Sequence, residues 1–496
     1  MILNPHIFRE YDIRGVAERD LSDAVAVAIG QGFGTWLRRQ GADSLAVGRD
    51  CRLHSPRLHQ ALCQGLLQSG VNVLDVGVVP SPLLYFAVHH LQAGGGAQIT
   101  GSHNPPSDNG FKLLHGQQNL HGPALQELRA LIERRDFLHG HGQLTELDIH
   151  AAYAAFVTER LQLGPRRFPV VIDAGNGCGG VDSVPLLTTL GFPVTTLHCE
   201  MDGRFPHHPP DPTVPEHLAE LTQTVRQTGA ELGLAFDGDA DRLAVVDAEG
   251  RIIWGDQLMI LFARAILAEE PGATFVCEVK SSRALYDEIA RAGGTAVMWR
   301  VGHSAIKEKM REVHAALGGE MSGHLFFAHR YLGFDDAIYA AARLCELLSR
   351  SPLTLAQHVD SLPRLYNTPE IRLPVPDASK FALAQLCAQR LRDLPGAQVV
   401  ELDGARIHLP GAWALVRASN TQPALVLRLE AESEPRLHWI AQQLKDILSR
   451  AAADLPPNLK ADLRSDWCEP LSAPPLTQPT SEAVSLDPLP QRPTQT

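Results

Sequence analysis

The chain has little lysine, no closely paired cysteines and no long apolar run, and each shortage removes a class of function. The best candidate for a membrane span, Leu258–Leu267, is interrupted by Arg264. It falls far short of the roughly 20 apolar residues needed to cross a bilayer, so no membrane partner is expected. The start, MILNPHIFREYDIRG, lacks the basic lead, apolar stretch and small-residue cleavage site of an export signal. A cytoplasmic location is therefore expected. The eight cysteines include no C-x-x-C pair, which argues against a zinc site or a disulfide framework and for reduced thiols. Positive charge is also short: 44 Lys+Arg stand against 56 Asp+Glu, a formal net charge of −12. No nucleic-acid partner is expected from such a chain. A small phosphorylated ligand remains possible, because it needs only a local pocket of cations. The histidines of HGHG at 139–142 and the pair His207–His208 lie in Gly/Pro-rich contexts and read as solvated loops rather than metal ligands.

What is present is an ordinary globular composition, 44% hydrophobic and 20% charged over 496 residues, enough for three or four domains. Short strand-like runs alternate with helical stretches, the pattern of an α/β protein. SLAVG feeds the polar turn GRDCRLHSP, and AGGGAQIT leads into GSHNPPSDNGFK. A second unit carries PVVIDAGNGCGG at 169–180 and LGLAF at 232–236, which ends in DGDADR. A third holds ATFVCEVK and the loop GGEMSGH at 318–324. Strand, polar turn and helix recur in the same order, a weak internal repeat. The region of about 365–455 has strands ALVRAS and ALVLRLEAES and an amphipathic helix at Pro435–Arg450. From Pro456 onward the chain is Pro-rich and aperiodic, which reads as a disordered tail.

Four loops stand out chemically. In DGDADR, Asp237, Asp239 and Asp241 would repel one another unless a cation sat between them. Hard oxygen ligands in a compact site with room for a phosphate oxygen favour Mg2+. The alternatives are a solvated Asx-rich turn, or a phosphatase in which the first Asp is the nucleophile. In TGSHNPPSDNGFK, Ser102 sits in a loop stiffened by Pro105 and Pro106 and suits a nucleophile or phosphoryl carrier, or simply a turn. RASNTQP, Arg417–Pro423, offers a guanidinium fork, hydroxyls and an amide for a phosphate oxyanion, or is simply a polar hairpin loop. In GEMSGH, Glu320, Ser322 and His324 alternate, so either an extended loop presents all three on one side, suiting vicinal sugar hydroxyls, or the segment is a polar turn.

Taken in order, TGSHNP, DGDADR, GEMSGH and RASNTQP resemble the α-D-phosphohexomutase family, in its bacterial phosphomannomutase/phosphoglucomutase branch. The N-terminal FREYDIRG resembles the family's start as well, and the likeness runs from residue 6 to about 450. It implies three similar α/β domains plus a smaller α+β C-terminal domain around a central cleft. The limits would be 1–147 for a phosphoserine domain, 148–250 for a metal-binding domain, 251–364 for a sugar-binding domain and 365–455 for a phosphate-binding domain, with a tail at 456–496. Ser102 would be the phosphoserine, sharing Mg2+ with Asp237, Asp239 and Asp241. Arg242 would bind phosphoryl oxygens, and Tyr11 and a catalytic Arg14 would face the cleft. Glu320, Ser322 and His324 would meet the sugar, while Arg417, Ser419, Asn420 and Thr421 would hold the phosphate that is not reacting. The implied reaction is reversible exchange of hexose 1-phosphate and hexose 6-phosphate, of mannose, glucose or both. It would run through a hexose 1,6-bisphosphate that also serves as activator, in a monomer or weak oligomer.

The scarcity of lysine then acquires a meaning, since the only lysines before residue 307 are Lys112 and Lys280. Lysine is a compact, titratable ammonium where arginine stays charged. Lys112 closes the Ser102 motif and is expected, with His303 of RVGHS, to move protons. Lys280 is expected on the sugar or its phosphate. His54 stands where a small hydroxyl residue is usual in the resemblance, with little consequence for chemistry expected. The rival readings are a phosphoglucosamine mutase, disfavoured by Met321 in GEMSGH, a phosphatase, and a non-catalytic phosphosugar-binding protein.

Overall fold

A computed structural model describes residues 3–419, 422–456 and 459. The described part contains four sheets. The first runs, in spatial order, Ile13–Val16, Asp108–His115, Gly95–Ile99, Ser44–Arg49, Asn72–Val78 and Leu144–Glu146. Its central strands are parallel, and Asp108–His115 returns antiparallel beside Gly95–Ile99. The second sheet places Ile252–Ile253, Leu243–Asp247, Leu232–Phe236, Val170–Asp173 and Val194–Leu197 side by side. The third orders Thr295–Trp299, Thr274–Glu278, Leu317–Gly319 and Leu325–Phe327.

These three share one plan. Parallel strands buried on both faces need near-continuous apolar runs, and VVID, LGLAF and TFVCE supply them. Each sheet also carries a corresponding antiparallel hairpin: 95–99 with 108–115, 232–236 with 243–247, and 317–319 with 325–327. The fourth sheet is antiparallel throughout. It is built on Ala405–Leu409, Ala412–Ala418 and Ala424–Ala431 and is backed by the helices Asp377–Arg392 and Glu434–Ala453. This is the α/β architecture with a smaller α+β C-terminal unit.

All four motif loops are the connections of such antiparallel pairs, so each leaves its sheet at one end and all reach the same cleft. The first three units are fused by a single apolar core that takes in Phe86, Tyr153, Phe236, Phe262 and Tyr339. The fourth has its own core, from Leu373 to Leu455. Seven described cysteines are free. Among the described residues no helix is long and apolar enough to cross a membrane. The His207–His208 loop is less solvated than its composition suggests. His207 stacks on His198 with ring centroids 3.8 Å apart, and His208 Nε2 lies 3.2 Å from Asp173.

A polar tie crosses the shared core. Asp336 caps the helix Ala337–Arg350 by accepting from Tyr339 N at 2.8 Å, and it also accepts from the Tyr153 hydroxyl at 2.9 Å and the Tyr331 hydroxyl at 2.6 Å. Burial pushes its carboxyl up to about 6 despite those donors. Tyr153→Phe is therefore expected to lower the free energy of unfolding by about 2 kcal/mol, the scale of a hydrogen bond to a charged group. Urea denaturation measures it.

Candidate functional site

A cleft of about 2040 Å³ is lined by all four units, including Tyr11, Ser102, Arg242, Glu320 and Arg417. Its floor begins at Ser102, which is buried and held at φ +47°, in the left-handed region. That strain is imposed by neighbours. Arg52, fully buried, donates to the carbonyls of Ser102 (2.7 Å), Asn104 (2.6 Å), Pro105 (2.6 Å) and Asp108 (3.0 Å). Asp50 pairs with Arg52 at 3.3 Å and accepts from Gly101 N at 3.1 Å. A Cβ on Gly101 would lie 2.4 Å from the Arg52 guanidinium, so only glycine lets the loop close over it. Arg14 completes the clamp through the Gly101 carbonyl and is itself fixed by Asp12. Arg52 and Asp50 were not among the expected site residues, although a charged pair in the turn after a strand was visible in GRDCRLHSP.

The aspartate loop meets that serine from the second unit. Ser102 Oγ donates to Asp237 Oδ2 at 2.8 Å and lies 3.2 Å from His103 Nδ1. This approach needs Gly238, where a Cβ would sit 2.4 Å from the Ser102 carbonyl. Asp237 Oδ1 accepts from the backbone N–H of Asp241 and Arg242, closing the loop on itself. Asp237, Asp239 and Asp241 are buried and offer oxygens all within 4.8 Å of one another. Burial, then Asp241 and Asp239, push the Asp237 carboxyl well above the usual range. Asp239 Oδ1 and Asp241 Oδ1 are buried with no hydrogen-bond partner. Orphaned hard oxygens in a repelling cluster fit a divalent cation.

Lys112 meets the same cluster. Its ammonium donates to Asp239 at 2.6 Å and Asp241 at 2.5 Å. Burial alone would lower its pKa, but the two carboxylates hold it well above the usual lysine range. Asp239, which burial would raise, is kept well below the carboxylate range chiefly by Lys112. Lys112 is thus placed as a positive charge against Asp239 and Asp241.

The third unit supplies the opposite wall. The GEMSGH segment is not extended: Gly323 N donates to the Glu320 carbonyl at 3.0 Å, making a turn. The hairpin register, in which Gly319 pairs with Leu325, leaves too short a connection for an extended run. Glu320 and Ser322 stay together, with Ser322 Oγ 3.4 Å from Glu320 Oε2, while Glu320 Oε1 accepts from Gly302 N at 2.6 Å. His324 lines the same cleft, its Nε2 accepting from Arg242 Nε at 3.0 Å. His303 begins the helix His303–Glu312 and lines the cleft, and burial, then Lys307, push its imidazole well below the usual range. Tyr11 donates to the Val301 carbonyl at 2.9 Å and packs edge-on to His303.

Lys280 reaches toward the fourth unit and donates to Glu370 at 2.9 Å, with Glu278 at 3.6 Å. Arg417 pairs with Asp403 at 3.1 Å, and Asp403 also accepts from Val301 N at 3.1 Å. Asp403 is a third residue that sequence reasoning missed, since it lies outside every motif. Ser419 Oγ accepts from Gln422 N at 3.1 Å. Asn420 and Thr421 lie outside the described residues.

Fold and site together define a four-unit α/β protein that converges hairpin loops on one cleft, with a strained serine hydrogen-bonded to an acidic cluster. Residues 5–139, 151–250, 254–366 and 370–447 match, respectively, the alpha/beta/alpha domains I, II and III and the C-terminal domain of phosphoglucomutase/phosphomannomutase. The phosphomannomutase/phosphoglucomutase of Pseudomonas aeruginosa is 44% identical over 450 residues, 91% of this chain and 97% of that protein. The phosphoglucomutase of Neisseria gonorrhoeae is 43% identical over 447 residues, 89% and 96% of the two chains. The crystal structure of a Burkholderia thailandensis phosphoglucomutase/phosphomannomutase family protein superposes with a TM-score of 0.87 at 39% identity, over 93% of this chain and 100% of that one. The chain belongs to the phosphoglucomutase/phosphomannomutase family of α-D-phosphohexomutases.

Two expectations follow. Arg52→Met removes the donor to four loop carbonyls and leaves Asp50 buried without its cation. Amide exchange over residues 100–108 should accelerate, and stability should fall by about 3 kcal/mol, as hydrogen-exchange mass spectrometry and denaturation measure. Glu278 is pushed up to about 7, by burial first and Glu320 second, with Lys280 opposing. Its folded pKa is raised, so the native state holds a proton that the unfolded chain loses near its ordinary 4.5. Its contribution to stability is full below that value and falls as pH rises to about 7. Glu278→Gln should flatten that slope in denaturation curves across the window.

Proposed function

We propose that the chain interconverts hexose 1-phosphate and hexose 6-phosphate, of mannose, glucose or both, through a phosphorylated Ser102. The observation that carries this is the 2.8 Å contact between Ser102 Oγ and Asp237, which joins a strained nucleophile to a buried acidic cluster from another unit. Mg2+ is the natural cation for that cluster and would be held by Asp237, Asp239, Asp241 and a phosphate oxygen on Ser102. When bound, it supplies charge neutralisation to the transferring phosphoryl group.

The residues of the chain divide the remaining work. The substrate hydroxyl forms a bond to phosphorus as the Ser102 Oγ–P bond breaks, and its proton passes to a base on the cleft wall. His303 suits that role, since its imidazole is neutral and borders the cleft. Lys112 and Arg14 would spread positive charge over the phosphoryl oxygens, with Arg242 held toward them by His324. In this role Lys112 acts through its fixed charge more than through proton exchange. Glu320 and Ser322 would grip two ring hydroxyls. Arg417 and Ser419, joined by Asn420 and Thr421, would hold the far phosphate, with Lys280 and Tyr11 between. The resulting hexose 1,6-bisphosphate reorients, and its other phosphate returns to Ser102. Contacts to one phosphate and two hydroxyls accept both orientations.

The test supplies mannose 1-phosphate, glucose 1-phosphate and glucosamine 1-phosphate in parallel, with Mg2+ and a trace of hexose 1,6-bisphosphate. The 6-phosphates of mannose or glucose should form with no matching release of inorganic phosphate. Ser102→Ala should lower turnover by at least about 1,000-fold, as loss of a covalent nucleophile does, and should abolish the phosphoryl group seen by intact mass. Net phosphate release would instead make the protein a phosphatase, and turnover of the glucosamine ester alone would reassign its sugar.

A further inference from the structure

Two thiols meet at the seam between the first and second units. Cys51 lies in the turn after the strand Ser44–Arg49, between the Asp50 and Arg52 that hold the Ser102 loop. Its Sγ reaches across the seam and donates to the Asn176 carbonyl at 3.4 Å. Cys178, two residues further on, precedes the helix Gly179–Thr189, and its N–H donates to the Gly238 carbonyl of the aspartate loop at 3.0 Å. The Cys178 thiol is within hydrogen-bond reach of both the thiol and the backbone N–H of Cys51. The seam leaves little room. A Cβ on Gly203 would lie 2.4 Å from the Cys51 carbonyl, and one on Gly177 would lie 2.7 Å from the Gly238 carbonyl.

The two sulfurs differ in access. Cys51 is half-buried, whereas Cys178 is buried. The hydrogen bond with Cys51, then burial, push the Cys178 thiol well above its usual range, so it stays protonated. Cys199 is the other half-buried thiol among the described residues. It is turned to the carbonyls of Ile172 and Leu197, and burial, then Asp173, push it up to about 11. Cys51 is therefore the described thiol that a dissolved oxidant meets first.

We propose that Cys51 and Cys178 form a reversible disulfide between the two units when the protein meets hydrogen peroxide. The Cys51 thiolate attacks one peroxide oxygen and the O–O bond breaks. Hydroxide leaves and takes up the proton that Cys51 released, so Cys51 becomes a sulfenic acid. The Cys178 sulfur then attacks the Cys51 sulfur. The S–S bond forms as the S–O bond breaks, and the hydroxyl departs as water with the Cys178 proton. Two thiols lose two electrons, one peroxide gains them, and two waters result. A disulfide sets its sulfurs about 2 Å apart, closer than hydrogen-bonded thiols, so the turn 50–52 is drawn toward the start of the helix. Arg52 transmits this to the Ser102 loop, and the Cys178–Gly238 bond transmits it to the aspartate loop. Oxidation thereby displaces Ser102 from Asp237 and slows turnover, a consequence that rests on the phosphoryl-transfer reading above. The competing explanation is that the two thiols only fill the seam.

The full-length protein is treated with hydrogen peroxide, its remaining thiols are capped with N-ethylmaleimide, and it is digested without reductant for mass spectrometry. The expected product is a peptide pair joining Cys51 to Cys178, two hydrogens lighter than the separate peptides and parted by dithiothreitol. Cys178→Ala should stop at a dimedone-reactive sulfenic acid on Cys51. Cys51→Ser, at the less buried position, should form no link and keep its turnover under the same treatment. Wild-type turnover should fall by about 10-fold or more, as misplacement by about 1 Å can cost, and dithiothreitol should restore it. Amide exchange over residues 100–108 and 237–242 should change and revert in step. Cys51 joined instead to Cys199, or to Cys468 outside the described residues, would overturn the proposal, as would its oxidation to a sulfinic acid while Cys178 stays free. A Cys51–Cys178 link that leaves turnover and exchange unchanged would overturn its effect on the loops. A reduced wild-type protein with no mutase activity would instead overturn the proposed function, and the peptide map and exchange would still decide the disulfide.

Discussion

Three carboxylates crowded within 4.8 Å in a buried loop are the constraint around which the cleft is organised. Left alone, Asp237, Asp239 and Asp241 would force protons onto one another or open the loop to water. The chain answers with cations and donors from other units. Lys112 bonds Asp239 and Asp241, the Ser102 hydroxyl bonds Asp237, and Ser81 adds a further donor to Asp239. Each of these comes from the first unit, so the acidic loop of the second unit ties the two together at the point where chemistry is proposed.

That tie explains the architecture around it. A serine that must meet a neighbouring domain's acidic loop within hydrogen-bond distance needs both loops on rigid frames. The continuous apolar core through the first three units provides the frame, and the buried Arg52 stiffens the serine loop against it. The fourth unit has a separate core and joins the third through polar contacts such as Lys280–Glu370 and the Val301 N–H to Asp403, and through a small apolar cluster of Val279, Trp413 and Leu415. The overall −12 of the chain matters little here, because placed cations meet the anionic ligand locally.

Much of this was legible in the sequence because the chemistry is local. DGDADR, TGSHNP, GEMSGH and RASNTQP each concentrate their reactive groups in one hairpin connection, and strand-like runs mark the ends. What the sequence hid is long-range. Asp50 and Arg52 look like any charged turn until the loop they hold folds back over them. Asp403 is an isolated acid whose meaning lies in partners brought by other segments. The contact of His324 with Arg242 was equally hidden, because the two residues come from different units. The helix Asp377–Arg392 is harder to see in the sequence, because Phe381, Ala382 and Leu386 add apolar residues outside the buried stripe of Leu383, Ala384, Cys387, Ala388 and Leu391.

The central claim is that Ser102, once phosphorylated, and the aspartate loop form one cation site shared between two units. Calorimetric titration of Mg2+ into the phosphorylated and dephosphorylated protein tests it most directly. The account predicts one ion per chain, bound about 10-fold or more tightly when Ser102 carries phosphate, because a dianionic oxygen donor joins the carboxylates. It also predicts that Asp239→Asn abolishes the binding in both states. Equal affinity with and without the phosphate, or binding that survives Asp239→Asn unchanged, would contradict it.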